Sequence, residues 1–245
     1  MDEVVAGKSA GTTPAPDVGA AVAAVPPAVA ATPPVRTIIE ELISSYVYLR
    51  RCIGIIGLAL PFALVFGHDI AIRQFEFRDS MSSYYYTDMR NVFVGSLCAI
   101  GVFLFSYRYE WIDNILTNVA GVLAIGVALC PTTNAHPSSA GKIVDYLHFT
   151  FASILFLLLA SFCFVIFTRT DPTQPATRRK SQRNMLYRVC GIVIVVCVAF
   201  AGLSQTPLFS DSFRVHGNPL LWTESLAVFA FGLSWLVKGK TFLQD

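Results

Sequence analysis

Long apolar segments alternate with short polar ones along most of this chain. Six of the apolar segments approach the roughly 20 residues that a helix needs to cross about 30 Å of hydrocarbon. They span residues 52–72, 91–107, 112–130, 146–168, 189–203 and 220–237. The pattern predicts an all-α fold, a six-helix transmembrane bundle formed by residues 36–245.

Composition supports a membrane protein and argues against a nucleic-acid-binding protein. Hydrophobic residues make up 54% of the 245 residues and charged residues 14%, against about 25% charged in soluble domains. The net charge of +2 comes without a clustered basic face, so we expect no nucleic-acid partner. All six cysteines lie in or at the ends of apolar segments, without a C-x-x-C pair, which favours packing over disulfide or metal roles.

The first 35 residues differ in composition from the rest of the chain. They are rich in Ala and Pro and contain few large apolar groups to offset the entropy of ordering. We therefore expect a disordered tail over residues 1–35, and the alternative is a Pro-rich docking motif for a partner. Asp2, Glu3 and the prolines argue against a signal peptide.

The basic residues predict the orientation, because they collect on the cytoplasmic side of a membrane. We expect both termini to be cytoplasmic in a multi-pass protein of the cell membrane. With this threading, 13 of the 18 basic residues face the cytoplasm: Lys8, Arg36, Arg50, Arg51, Arg108, Arg169, Arg178, Arg179, Lys180, Arg183, Arg188, Lys238 and Lys240. The other five lie outside: Arg73, Arg78, Arg90, Lys142 and Arg214.

Ionisable side chains gather on the outer half of the predicted bundle. All four histidines lie there: His68, His136, His148 and His216. His148 and Glu224 each fall about a turn inside a span, where an ionisable group is costly unless it is paired or wetted. Asp145 precedes His148 by three residues, so it shares a helix face with the imidazole and could orient it or join it as a metal ligand. Three interpretations of these ionisable residues remain open: a hydrogen-bonded clamp between helices at the outer rim, a functional site built on His148 and Glu224, or simple exposure at the membrane interface.

The first outer loop contains the most distinctive polar string of the chain, residues 78–90. Three consecutive tyrosines suit the headgroup zone, so an aromatic anchor is one interpretation. The other is a lid and wall over the pocket of His148 and Glu224, with Arg90 facing a lipid headgroup. The lid residues would be Ser80, Ser83, Tyr84, Tyr85, Tyr86, Asp88 and Arg90, of which the last five are the candidate headgroup contacts.

Small residues predict where helices approach each other, because hydrophobicity alone does not bring helices together in lipid. Gly54 and Gly57 indicate a close approach of the first span. Gly95 with Ala99 predicts a contact face on the second span, and Ala120, Ala124 and Ala128 predict one on the third.

Three parts of the chain resemble an uncharacterised family of bacterial six-span membrane proteins. They are SYYYTDMRNVFVG with AIGVFL (residues 83–95 and 99–104), the helix of His148, and residues 224–239 with FGLSWLVKG. The resemblance covers about residues 47–240 and implies a six-helix fold, distantly similar to the DRAM and Sfk membrane proteins linked to lipid handling. It brings no established activity.

Two classes of function remain open at this point. The first is a non-enzymatic component that binds a membrane lipid or a partner, or senses the outer environment, through an outer polar pocket. The second is a membrane-embedded hydrolase acting on an outer-leaflet lipid. In that hydrolase Asp145, His148 and Glu224 would hold a metal or water, or His148 would act as the base for Ser80 or Ser83. A transporter is a third class, without an inverted repeat to support it, and no cofactor is indicated.

Overall fold

The structure, a computed structural model, describes residues 35–107, 111–132, 138–169 and 177–241. The predicted tail, apart from Val35, lies outside these residues. The described residues are all-α. The α-helices are α1 (Val35–Ile72), α2 (Arg90–Ser106), α3 (Trp111–Leu129), α4 (Ser139–Ser161), α5 (Arg178–Ser204), α6 (Asp211–Gly217) and α7 (Pro219–Lys238). A 3-10 helix covers Ser82–Tyr86, and a π-helical turn, Phe162–Ile166, continues α4.

Five of the described helices are long and apolar enough to cross a membrane: α1, α3, α4 with its π turn, α5 and α7. The sixth predicted span, α2, is an apolar helix of 17 residues and falls short of that length. The chain is therefore a multi-pass membrane protein, with five helices of full spanning length among the residues that the structure describes. The predicted all-α class is confirmed, and the count of six spans stays a prediction.

Side-chain caps explain where several helices begin. Ser138 and Thr177 accept backbone hydrogen bonds of 3.1 Å at the starts of α4 and α5, and Ser210 does so at 3.2 Å for α6. Pro219 occupies the first turn of α7, where its missing N–H costs nothing. α1 begins at Val35, well before the predicted start at residue 52, because a polar amphipathic stretch extends the apolar span.

Six helices form a closed ring in the order α1, α2, α3, α4, α5, α7 and back to α1. At one end of the ring, Arg51 Nε donates to Gly239 O at 2.9 Å. This bond joins the middle of α1 to the residue that follows α7. We call this the basic end. At the opposite end, residues 79–89, which include the 3-10 helix, fold over the ring. We call this segment the lid and this side the lid end.

Glycines create a tight seam between α1 and α7. A Cβ placed on Gly232 would lie 2.6 Å from Leu58 N and 2.8 Å from Gly54 O, so α7 and α1 touch through their backbones. The predicted close approach at Gly54 and Gly57 is confirmed. The predicted contact face at Gly95 is wrong, because a Cβ there would meet no atom within 4 Å.

Aromatic side chains close the basic end of the ring. Trp235 is 1% exposed and lies 5.5 Å from Tyr107 and 5.2 Å from Phe167 between ring centroids. Around this cluster, Asp113 forms an ion pair of 3.1 Å with Arg169, and the Lys238 ammonium lies 5.3 Å from the centre of the Phe167 ring. Bulky rings and charged groups thus fill the ring at this end. All six cysteines are free, as predicted.

Candidate functional site

Glu224 fastens the lid to the helix ring. It lies about one turn into α7, and its Oε2 accepts a hydrogen bond of 2.8 Å from the backbone N–H of Met81. The backbone N–H of Leu221, in the same turn, donates to Asp79 O at 3.1 Å. A carboxylate at this depth needs strong donors, and backbone N–H groups supply them. The lid is therefore attached to α7 by two hydrogen bonds.

His148 connects α4 to the end of α3. Its side chain is buried, and Nδ1 lies 2.6 Å from Cys130 O. Because a carbonyl oxygen accepts and never donates, Nδ1 carries the proton in this contact. Cys130 follows the last residue of α3, so His148 satisfies a carbonyl that the helix itself leaves unpaired.

Asp145 does not hold His148 Nδ1, one of the arrangements expected from the sequence, because Nδ1 bonds to a backbone carbonyl instead. Sequence patterns do not reveal such an acceptor, since every residue carries one. Asp145 lies near His148 and lines the outer surface of the site. Among the described residues, no group of three His, Cys, Asp or Glu side chains is placed to hold a metal ion. Asp145, His148 and Glu224 therefore do not form the predicted metal site.

The hydroxyls of the lid bond to one another. Ser80 Oγ lies 3.0 Å from Ser82 Oγ and 2.7 Å from Ser83 Oγ. In the described part of the chain, no hydrogen bond joins Ser80 or Ser83 to His148. The structure therefore does not bring either serine and this histidine together as nucleophile and base.

Two of the three lid tyrosines join the lid to the helices below it. Tyr84 is fully buried and packs edge-on against His68, with ring centroids 5.6 Å apart, so it cannot contact a lipid headgroup as predicted. The same burial raises the pKa of Tyr84 above its usual value. Tyr86 donates its hydroxyl to Thr132 O at 2.6 Å and ties the lid to the end of α3.

Arg90, Tyr85 and Asp88 lie at the rim of the lid. The Arg90 guanidinium covers the Tyr85 ring at 4.3 Å from its centre. Arg90 and Asp88 are exposed and Tyr85 is half-buried. Their role as headgroup contacts stays a prediction. Of the remaining histidines, His216 lies on α6, and His136 lies outside the described residues.

Three adjoining cavities lie between the lid end and the middle of the ring. The vestibule, of about 310 Å³, is outermost and is lined by Asp79, Ser80, Ser83, Thr132, Asp145, Phe149, Gln205, Arg214, Val215, Pro219 and Leu220. The lateral cavity, of about 120 Å³, lies between α4, α5 and α7 and shares Phe149, Gln205 and Leu220 with the vestibule. The ring cavity, of about 60 Å³, lies inside the ring and shares Ala152, Phe156 and Glu224 with the lateral cavity. Each cavity thus borders the next.

His148 and Glu224 both line the ring cavity, whose other walls are almost entirely apolar. Met81 and Ser82 of the lid cover it from above. Each of the two ionisable side chains bonds to a backbone group, and no described hydrogen bond joins one to the other. The sequence therefore identified the two ionisable residues of this cavity, and the structure supplies their separate partners.

The residues that sequence reasoning missed lie between the predicted spans. Gln205 follows α5 and lines both outer cavities, and Arg214 of α6 donates to Gln205 O at 3.1 Å. The Ser210 cap was the available signal for α6. A helix of seven residues carries too little apolar periodicity to be recognised otherwise.

Compared with known proteins, this chain matches no family model, no curated protein and no solved structure. The case for a function therefore rests on the geometry of the lid and the three cavities.

Proposed function

We propose that this chain is a six-span membrane protein that binds a membrane lipid from the lid end without changing it chemically. One observation carries the proposal: Glu224 holds the lid and lines both the lateral cavity and the ring cavity. A polar vestibule followed by apolar cavities matches the division of a lipid into headgroup and chain.

The short helix α2 supplies the sixth span. Its 17 residues reach about 26 Å at roughly 1.5 Å per residue, near the lower limit for crossing the hydrocarbon. It packs between α1 and α3 in the ring. With six crossings both termini lie on one side, and the excess of Lys and Arg assigns the basic end to the cytoplasm.

The charges of the vestibule favour a headgroup that donates hydrogen bonds. Asp79 and Asp145 line it, whereas its basic residue, Arg214, already donates to Asp211 and to Gln205 O. A headgroup with hydroxyl or amine donors fits two carboxylates, and a purely anionic one does not.

Apolar walls inside the site favour the chain of the lipid. The lateral and ring cavities, about 120 and 60 Å³, are lined mostly by apolar atoms. Since a water molecule in the liquid occupies about 30 Å³, these spaces hold the first part of a chain and not a whole lipid. Binding beyond that length requires the lid or the neighbouring helices to move.

Binding is favoured over hydrolysis by the hydrogen bonds of the candidate groups. His148 donates to Cys130 O, and the lid serines bond to each other. Acyl transfer needs a base within hydrogen-bond reach of its nucleophile. A serine-directed probe that labels Ser80 or Ser83 would revive the hydrolase alternative.

Photocrosslinking tests the proposal directly. The protein is reconstituted in nanodiscs with a phospholipid that carries a diazirine on its acyl chain, and the crosslinks are mapped by mass spectrometry. The key variant is Gly202→Leu, which fills the lateral cavity where a Cβ meets no atom within 4 Å. Gly95→Leu is the matched control, because a Cβ there also meets open space but away from the cavities.

We expect crosslinks at Ala152 and Phe156 in the wild type and in Gly95→Leu, and their loss in Gly202→Leu. Crosslinks confined to the outer surface of the helices, or unchanged labelling of Ala152 and Phe156 in Gly202→Leu, would contradict the proposal.

A further inference from the structure

A further depression lies on the opposite face of α7 from Glu224. This groove, of about 390 Å³, runs between α1, α7 and the chain that follows α1. Its walls carry six aromatic rings: Phe62, Phe66, Phe75, Phe77, Trp222 and Phe229. Phe62 and Phe229 meet edge-on across it, with centroids 6.2 Å apart. We call it the aromatic groove.

The aromatic groove continues at the lid end into a second compartment, whose surface is mostly apolar but which is bordered by three polar side chains. The compartment has about 410 Å³ and is lined by Arg73 and Gln74 together with residues of α1. It shares Phe66, Asp69 and Phe75 with the aromatic groove. An apolar channel thus leads up to a guanidinium, an amide and a carboxylate.

Asp69 lies where the two compartments meet and is not fully paired. Its side chain is buried, and Oδ1 accepts a hydrogen bond of 3.1 Å from Glu76 N. Oδ2 is buried and has no hydrogen-bond partner among the described residues. An unpaired buried carboxylate oxygen is costly, and a donor from a ligand would remove that cost.

Arg73 supplies the opposite charge one turn further along the chain. It directly follows α1, is exposed, and forms no ion pair or hydrogen bond within the described residues. Nearby, Arg78 forms an ion pair of 3.2 Å with Glu76. The compartment of Arg73 and Asp69 therefore offers one cation and one partly unpaired anion.

We propose that this groove binds one phosphatidylethanolamine molecule of the lid-end leaflet. Its phosphate contacts Arg73 and Gln74, its ammonium donates to Asp69 Oδ2 once the side chain turns this buried oxygen toward the groove, and one acyl chain lies among the aromatic rings. A guanidinium suits a phosphate, and a primary ammonium has the N–H groups that an unpaired oxygen needs. Phosphatidylglycerol lacks the cation, and the choline of phosphatidylcholine lacks the donors.

The test uses three phospholipids with the same diazirine-bearing chain and ethanolamine, choline or glycerol headgroups, each in nanodiscs. Crosslinks to Phe62 and Phe229 report on this groove and are distinct from those to Ala152 and Phe156. The charge variants are Asp69→Asn, which keeps one carbonyl for Glu76 N, and Arg73→Gln. Lys142→Gln is the control, an exposed basic residue elsewhere at the lid end.

We expect the ethanolamine lipid to label the groove about tenfold more than the other two in the wild type and in Lys142→Gln. Asp69→Asn should abolish that preference, and Arg73→Gln should lower labelling by all three lipids. Equal labelling by the three headgroups in the wild type, or a preference that survives Asp69→Asn, would overturn the proposal.

A steric pair of variants separates the groove from the rest of the lipid-facing surface. Ser225→Phe fills the groove, and Val196→Phe adds the same ring to an exposed position on α5. We expect Ser225→Phe to remove the labelling of Phe62 and Val196→Phe to leave it unchanged. Labelling that persists in Ser225→Phe would contradict a lipid seated in this groove.

Discussion

The two ends of the helix ring are built from different side chains. At the basic end, Tyr107, Phe167, Tyr187 and Trp235 are each at most 2% exposed and fill the space between the helices. At the lid end, cavities of about 60, 120 and 310 Å³ adjoin one another from the middle of the ring to the surface. The same ring is therefore filled at one end and accessible at the other.

Helix α7 alone shows the cause of this difference. Its basic half carries Phe231 and Trp235, whose rings pack against each other at 6.0 Å. Its lid half carries Thr223 and Ala227, which line the lateral cavity. Protein interiors are close-packed, so a run of small side chains on three facing helices leaves space unless a larger group covers it. Side-chain size along one helix thus sets where a ligand can enter.

A matched pair of glycine substitutions should destabilise the filled half of the ring, toward the basic end, and leave the half with the cavities, toward the lid end, unaffected. Gly232→Ala places a Cβ 2.6 Å from Leu58 N, against backbone that cannot give way, so we expect a loss of about 3 kcal/mol in the free energy of unfolding. Gly202→Ala places a Cβ in open space in the last turn of α5, and its effect should lie within about 1 kcal/mol of zero, on the stabilising side. Thermal stability in detergent, followed by size-exclusion chromatography, measures both.

The comparison fails if the two variants melt alike. Equal destabilisation would mean that α5 and α7 pack as tightly at the lid end as α1 and α7 do in the filled half. Gly95→Ala provides a baseline, since its Cβ also meets open space.

Removing the acid of the basic end should have the next largest effect. Asp113 is fully buried and pairs with Arg169, which is about a third exposed. Asp113→Ala leaves the surrounding cations without this carboxylate, so we expect a loss of about 2 kcal/mol, below the value for a fully buried pair because Arg169 is partly solvated. The same melting assay checks it. Asp88→Ala, at an exposed position on the lid, should melt like the wild type.

The sequence predicted those parts of the molecule that follow from hydropathy and residue size. The apolar segments, the free cysteines and the close approach at Gly54 are all correct. It failed at Gly95, because periodicity indicates that a small residue could pack but not whether a neighbouring helix faces it. The predicted length of the first helix was also wrong, because polar residues at the start of α1 extend the helix beyond its apolar part.

The ionisable residues of the candidate site could be predicted from the sequence, but their hydrogen-bond partners could not. His148 and Glu224 were recognisable because such groups are rare inside membrane spans. Their partners, Cys130 O and Met81 N, are backbone atoms that no residue pattern identifies. The burial of Tyr84 was equally hidden, because an aromatic run at a span boundary fits both a membrane anchor and a buried lid.

Loosening the lid should leave the filled half of the ring intact. Glu224→Ala removes the acceptor for Met81 N, so we expect amide hydrogen exchange of the lid to rise about tenfold, the ratio for a bond of roughly 1.4 kcal/mol. Exchange of the α7 segment around Trp235 should not change. Glu224→Gln keeps a carbonyl acceptor and should fall between the wild type and Glu224→Ala. If lid exchange in Glu224→Ala equals that of the wild type, Glu224 does not hold the lid.

The accessibility of native cysteines tests the difference between the two ends most directly. All three of Cys163, Cys190 and Cys197 are buried, but Cys197 lines the lateral cavity, whereas Cys163 and Cys190 lie in the filled half and line none of the three cavities. Sealed vesicles are treated from the lid side with a small, membrane-impermeant, cationic methanethiosulfonate, and the modified cysteines are mapped by mass spectrometry. We predict that Cys197 is modified while Cys163 and Cys190 remain unmodified over the same period. Modification of Cys163 as fast as Cys197, or an unreactive Cys197, would contradict a ring that is open at the lid end and filled at the basic end.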